Sequence, residues 1–129
     1  MQINKDTLLY GSFSLNPGNN GCLFFNSEFK RLKIDAIYKS FHSDDIEKSF
    51  AAAKTLGFKG FAISMPYKLD ILKILPKVDH VAQTIGAVNT VVLENGTYVG
   101  YNTDWEGVQR FLFEKKVTQL SIAGSGGFS

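Results

Sequence analysis

Apolar and polar positions along this chain switch repeatedly between a period of two and a period near 3.6. Leu8 to Ser14 reads as a first strand. The turn-forming run Leu15-Asn16-Pro17-Gly18-Asn19-Asn20 follows it. Cys22, Leu23, Phe25, Phe29 and Leu32 then recur at helical spacing, which predicts a helix from about Asn20 to Leu32. Ile34 to Phe41 alternates and predicts a second strand. Ser43, with acids in the turn after it, is a helix-start signal, because a hydroxyl can cap orphan N–H groups and acids complement the helix dipole. Ile46, Phe50, Ala53 and Leu56 form the stripe expected to be buried, and Gly57 the stop. Phe58 to Ser64 is a third strand.

The second half keeps the alternation with more polar interruptions. Pro66 is placed to begin a helix that continues through Leu69, Leu72 and Leu75 and ends at Pro76. Val78 to Ile85 reads as a further short helix stopped by Gly86. Ala87 to Leu93 and Thr97 to Tyr101 are strands joined through Asn95-Gly96, a dipeptide that favours a tight hairpin. A helix from Trp105 to Lys115 and a strand from Leu120 to Ala123 complete the expected elements. Strands alternating with helices predict an α/β fold: three layers, α/β/α, around a mostly parallel sheet with one antiparallel hairpin strand. The expected boundary lies between a domain over 1–117 and the start of a second one over 118–129.

Composition narrows the class. A chain of 129 residues buries roughly two-thirds of its unfolded surface, enough for a core without staples. Eleven Phe and five Tyr make that core aromatic. The net charge of +2, from 14 basic and 12 acidic residues, is too balanced for a nucleic-acid binder, and no basic cluster is present. The single cysteine, Cys22, excludes an internal disulfide and fits a reducing compartment as a small buried side chain. No apolar run approaches the ~20 residues of a membrane helix, and the N-terminal residues do not resemble a secretory signal. A cytoplasmic protein with no membrane partner is expected.

The chemistry-bearing residues fall at strand ends. His42 and His80 lack ligand-like neighbours, so no metal site is expected, and no serine or cysteine nucleophile signature occurs. Asp44-Asp45 reads better as a helix cap than as a catalytic carboxylate pair. On local grounds Lys68 is a surface lysine, although the first turn of a helix is an unfavourable place for it. Asp104 alone reads as a helix cap. Ligands of open α/β sheets bind outside the carboxyl ends of the strands. Ser12-Phe13-Ser14, Ser64 to Lys68 and Asn102 to Asp104 all fall at such ends. Hydroxyls, amides, one ammonium and one carboxylate suit a small polyhydroxylated acid, and a Lys–Asp pair can move a proton. Gly124, Gly126 and Gly127 follow the last strand in the manner of a dinucleotide-binding loop, the alternative being a mobile tail.

Four ordered motifs resemble the N-terminal, substrate-binding part of the shikimate dehydrogenase family. They are Ser12-Phe13-Ser14, Ala62 to Lys68, Ile85 to Thr90 (IGAVNT), and Gly100 to Gly107 (GYNTDWEG), continuing into the glycines at 124–127. The resemblance implies NADP-dependent, reversible reduction of 3-dehydroshikimate to shikimate. It makes Lys68 and Asp104 the catalytic dyad. Ser12 and Ser14 would hold the substrate carboxylate, Ser64 and Asn89 would contact the substrate, and Gly124, Gly126 and Gly127 would start the cofactor loop. A homodimer is a possible assembly. Leu15-Asn16 replaces the usual Ser-Pro continuation, Phe25-Asn26 the usual His-Asn, Ala62 an Asn and Ser64 a Thr. These departures resemble the divergent shikimate-dehydrogenase-like subgroup and leave quinate or another hydroxylated ring acid open as substrate. The rival readings are a non-catalytic ring-acid binding module and a folate-type dehydrogenase/cyclohydrolase; the serine pair and the Asn-Thr-Asp motif argue against the latter. The 129-residue chain is expected to show no turnover by itself.

Overall fold

The computed structural model describes residues 2–104. The helix predicted from Trp105 to Lys115, the strand from Leu120 to Ala123 and the glycines at 124, 126 and 127 lie outside the described residues. The chain divides into two compact units, Met1–Tyr67 and Lys68–Ser129.

In the first unit β1 (Leu8–Ser14) lies between β2 (Ala36–His42) and β3 (Gly60–Ile63), parallel to both. Register pairs Ser12 with Ser40 and with Ala62, and Phe13 with Phe41 and with Ile63. Because side chains alternate between faces, one face carries Phe13, Phe41, Phe61 and Ile63, and the other Ser12, Ser14, Tyr38, Ser40 and Ala62. α1 (Asn20–Arg31) covers the polar face and α2 (Ile46–Leu56) the aromatic one. Here the expected α/β/α layering is met within a single unit.

The aromatic core is built around Phe13, whose ring lies 5.3–5.7 Å from those of Phe41, Phe58 and Phe61. Phe58 and Ile63 are completely enclosed, at 1% and 2% exposure, each worth about 2 kcal/mol in removed apolar surface. α2 begins at Asp45, whose carboxylate accepts from the N–H groups of Glu47 and Lys48. The cap is thus Asp45 and not Ser43, which is buried and hydrogen-bonds Ser49 at 2.6 Å. Gly57 ends the helix at φ +76°, as expected. Leu56, expected in the stripe, is exposed; the buried stripe of Ile46, Phe50 and Ala53 ends three residues earlier.

α1 docks through the rings of Phe25 and Phe29, on Tyr38 and Tyr10 at 4.7 and 5.5 Å, and through polar contacts; none of its residues is fully buried. The Asn26 amide accepts from Tyr38 N–H and donates to Tyr38 C=O, both at 2.8 Å. Ser40 N–H donates to Cys22 Sγ at 3.2 Å. Positions 22 and 26, one helical turn apart, therefore satisfy the side of β2 that faces away from β1. Cys22 is half-buried and serves as an acceptor rather than as filler. β2 starts at Ala36 because Ile34 still belongs to the helix exit, its N–H bonded to Phe29 C=O.

In the second unit the hairpin of β5 (Thr90–Glu94) and β6 (Thr97–Tyr101) turns at Asn95 and Gly96, with φ of +51° and +81°, the signature of a tight primed turn. The short β4 (Lys77–Val78) runs parallel to β6. Two helices differ from expectation. α3 (Asp70–Ile74) begins four residues after Pro66, which sits in a turn after a cis Met65–Pro66 bond. α4 (His80–Ile85) begins at an Asp79 cap, and Val78 pairs with Gly100 as a strand instead. Ala87 to Asn89 precede β5 without belonging to it. Val81, Ala82, Val88 and Val91 are buried. Gly100 permits the close approach of Leu75 and Val88; a Cβ there would meet them at 2.6 and 2.9 Å.

Candidate active site

The register of the β5–β6 hairpin determines the polar cluster of the second unit. Thr90 pairs with Tyr101, and Asn89 N–H extends the ladder to Tyr101 C=O at 3.0 Å. Asn89 and Thr90 thus lie against Asn102, Thr103 and Asp104 as both strands leave the hairpin. Lys68 precedes α3 and is fixed by its carbonyl, which accepts from Val88 N–H at 2.9 Å. It does not occupy the first turn of a helix, so the dipole conflict read from the sequence does not arise. Its ammonium donates to Asp104 Oδ2 at 2.7 Å.

Asp104 is the hub. Oδ1 accepts from Asn89 Nδ2 at 2.7 Å and Oδ2 from Lys68. Its backbone N–H is held by Asn102 Oδ1 at 2.9 Å, and the Asn102 amide donates in turn to Ala87 C=O. Asn89 Oδ1 accepts from Thr103 N–H, Thr103 Oγ1 and Thr90 Oγ1 at 2.9, 3.1 and 2.9 Å. With its oxygen so occupied, the Asn89 amide must present its NH₂ to Asp104. Asn89, expected as a substrate contact, is first of all a positioning residue for the carboxylate. Thr90, Thr103 and Asn102 enter the sequence only as members of the strand end at 102–104 and of the motifs Ile85 to Thr90 and Gly100 to Gly107, which assign none of them an individual role.

Burial pushes the Asp104 carboxyl up. The hydrogen bonds from Lys68 and Asn89 and the Lys68 charge outweigh it and leave the pKa below the ordinary value. Asp104 is therefore ionised at neutral pH. An ammonium has three donors, of which Asp104 takes one, and a carboxylate offers about four acceptor sites. The pair can thus engage a ketone oxygen and a neighbouring hydroxyl while remaining paired.

The first unit holds a separate cleft of about 450 Å³, lined by Ser12, Ser14, Ser64, Tyr38, Ser40 and the first turn of α1. Parallel pairing of β1 and β3 brings the three expected serines to it. The helix end at the cleft has no side-chain cap and no acid in its first turn, so its N–H groups and dipole favour an anion there. Tyr38 and Ser40 were missed, because only the Ser12–Ser40 register shows that they share the face of the serines. A larger groove of about 850 Å³ along Ile3, Phe29 and Ile34 is mostly apolar and carries none of the expected site residues. Among the described residues no group of three or more His, Cys, Asp or Glu is arranged to hold a metal, and no helix is long and apolar enough to cross a membrane.

The profile of the shikimate dehydrogenase substrate binding domain matches residues 20–91. The chain belongs to the shikimate dehydrogenase family. It is 39% identical over 131 residues to a shikimate dehydrogenase-like protein of Haemophilus influenzae, covering 98% of this chain and 48% of that protein. It is 42% identical over 139 residues to a shikimate dehydrogenase (NADP(+)) of Methanococcus maripaludis, again covering 98% and 48%. A solved shikimate 5-dehydrogenase-like structure superimposes with a TM-score of 0.78 at 38% identity, covering 88% of this chain and 42% of that one. The chain spans about half the length of the curated relatives it matches. Membership of the shikimate dehydrogenase family agrees with the mostly parallel α/β fold with one antiparallel hairpin.

Proposed function

We propose that this chain is the substrate-binding part of an NADP-dependent dehydrogenase that interconverts 3-dehydroshikimate and shikimate. The observation that carries the reading is the Lys68–Asp104 pair at 2.7 Å, with Asp104 oriented by Asn89. In the proposed roles Lys68 faces the ketone oxygen, hydrogen-bonds it as negative charge develops, and transfers a proton to it. Asp104 accepts from a neighbouring ring hydroxyl and fixes the ammonium. Ser12, Ser14 and Ser64 bind the polar periphery of the substrate, the carboxylate falling to Ser12 and Ser14. NADP supplies or accepts a hydride when bound; Gly124, Gly126 and Gly127, proposed for its loop in a domain beginning near residue 118, lie outside the described residues. Ala62 and Ser64 stand where the family motif has Asn and Thr, which keeps quinate and other hydroxylated ring acids in the test.

That test is a panel of shikimate, quinate and their analogues with NADP and NAD on the complete enzyme, following cofactor reduction. Lys68→Ala should lower kcat/KM by roughly 10²–10⁴-fold, the usual worth of positioned proton transfer, while ring-acid binding persists. A rate unaffected by Lys68→Ala sinks the dyad. Binding with no cofactor reduction in the wild-type enzyme supports the non-catalytic binding module instead.

A further inference from the structure

One peptide group holds both members of the Lys68–Asp104 pair. The peptide joining Ala87 to Val88 donates its N–H to the Lys68 carbonyl at 2.9 Å, and its C=O accepts from Asn102 Nδ2 at 3.1 Å. The other end of the Asn102 amide, Oδ1, accepts from Asp104 N–H at 2.9 Å. In a trans peptide the N–H and C=O point in opposite directions from one rigid plane. The spacing of the two anchors is therefore fixed once that plane is. The plane is held from both sides: Ala87 N–H donates to Ala82 C=O in α4, and Val88 is completely buried against Gly100.

Beyond Tyr101 the N–H groups of Thr103 and Asp104 are taken by side-chain oxygens, those of Asn89 and Asn102. Asn102 is 3% exposed, and both ends of its amide are used. An aspartate in its place has no donor for Ala87 and adds a negative charge beside Asp104; a leucine makes neither bond. We propose that Asn102 is a positioning residue, which ties Asp104 to the peptide group already holding Lys68 and so seats the carboxylate against the ammonium. Its effect on rate rests on the dyad reading above; its effect on the ion pair does not. The hydrogen bond and charge of Lys68 hold the Asp104 carboxyl low, so a carboxylate that leaves this seat reports the loss by titrating higher.

Asn102→Ala removes both bonds, and Asn102→Ser restores only an oxygen able to accept from the N–H two residues on. Thermal unfolding establishes that each variant is folded. In a ¹³C NMR titration the Asp104 midpoint should rise in Asn102→Ala and rise less in Asn102→Ser. On the complete enzyme Asn102→Ala should lower kcat/KM by about 10²-fold, the usual result of ångström-scale misplacement. The acid limb of its pH profile should move up, and Asn102→Ser should recover part of the rate. In an Asp104→Ala background Asn102→Ala should cost less than about threefold, because Asn102 acts through that carboxylate. If Asn102→Ala does not fold, Asn102→Ser decides by the same readouts. A lowered Tm with an unmoved Asp104 midpoint, or an equal loss of rate with and without the Asp104 carboxylate, makes Asn102 merely structural and overturns the proposal. A wild-type enzyme that reduces no cofactor with any ring acid overturns the reading above, and the Asp104 midpoint still decides the role of Asn102.

Discussion

Lys68 and Asp104 come from segments 36 residues apart and meet at 2.7 Å only because other residues hold each of them. Val88 fixes the backbone of Lys68, and Asn102 and Asn89 fix both ends of Asp104. The linkage sign follows from the lowered Asp104 pKa. A carboxyl whose folded value is depressed contributes stability that is present above its unfolded value and lost as pH falls through the folded one. A ¹³C NMR titration of the Asp104 carboxyl should therefore give a midpoint below the usual ~3.9. Lys68→Met removes a hydrogen bond and a positive charge and leaves burial unopposed except by Asn89, so the midpoint should rise. An unchanged midpoint in that variant would show that the ion pair does not form in solution.

The docking of α1 on β2 is a prediction at the scale of elements. A helix with no fully buried residue brings little apolar area beyond the rings of Phe25 and Phe29, so its hydrogen bonds matter, and Asn26 makes two of them to one strand residue. Asn26→Leu leaves the N–H and C=O of Tyr38 without those partners. It should cost roughly 2 kcal/mol, the usual penalty for unsatisfied, partly buried backbone groups, read from the urea midpoint at unchanged m-value. Asn26→Asp should fall between, because a carboxylate accepts from the N–H but cannot donate to the carbonyl. If Asn26→Leu is as stable as wild type, α1 is held by something other than these bonds. The same geometry explains why the helix was legible while its mode of attachment was not. Apolar spacing at Cys22, Leu23, Phe25 and Phe29 marks a helix, yet Leu23 and Phe24 are largely exposed, and the ring contacts of Phe25 and Phe29 are joined by hydrogen bonds from Cys22 and Asn26 that the spacing does not announce.

For the whole chain, a ligand that binds only the folded state must stabilise it by mass action. At a hundredfold excess over its Kd, shikimate should add about 2.7 kcal/mol, visible as a rise in Tm, whereas a folate should add nothing. A Tm rise with folates and none with ring acids would transfer the chain to the folate-type reading. The elements themselves were largely readable. The strand at Leu8–Ser14, the caps at Gly57 and Gly86 and the turn at Asn95-Gly96 all occur where local chemistry puts them. Local rules failed where a distant partner decided the conformation. Pairing with β6 turned Val78 from a helix start into a strand residue, and the tight turn at Pro66 delayed α3 to Asp70.

By itself the sequence determined the kind of fold and the residues with chemistry to offer, since periodicity, caps and turn residues act over a few positions and the motifs name their side chains. Only the tertiary structure decided which groups meet. The hairpin register set Asn89 on Asp104, and the pairing of β1 with β2 set Tyr38 and Ser40 on the face of Ser12. A hairpin's register follows from its turn, but which groups it then brings against Asp104, and the register of β1 on the distant β2, depend on segments far apart in sequence and on the packing of both faces at once.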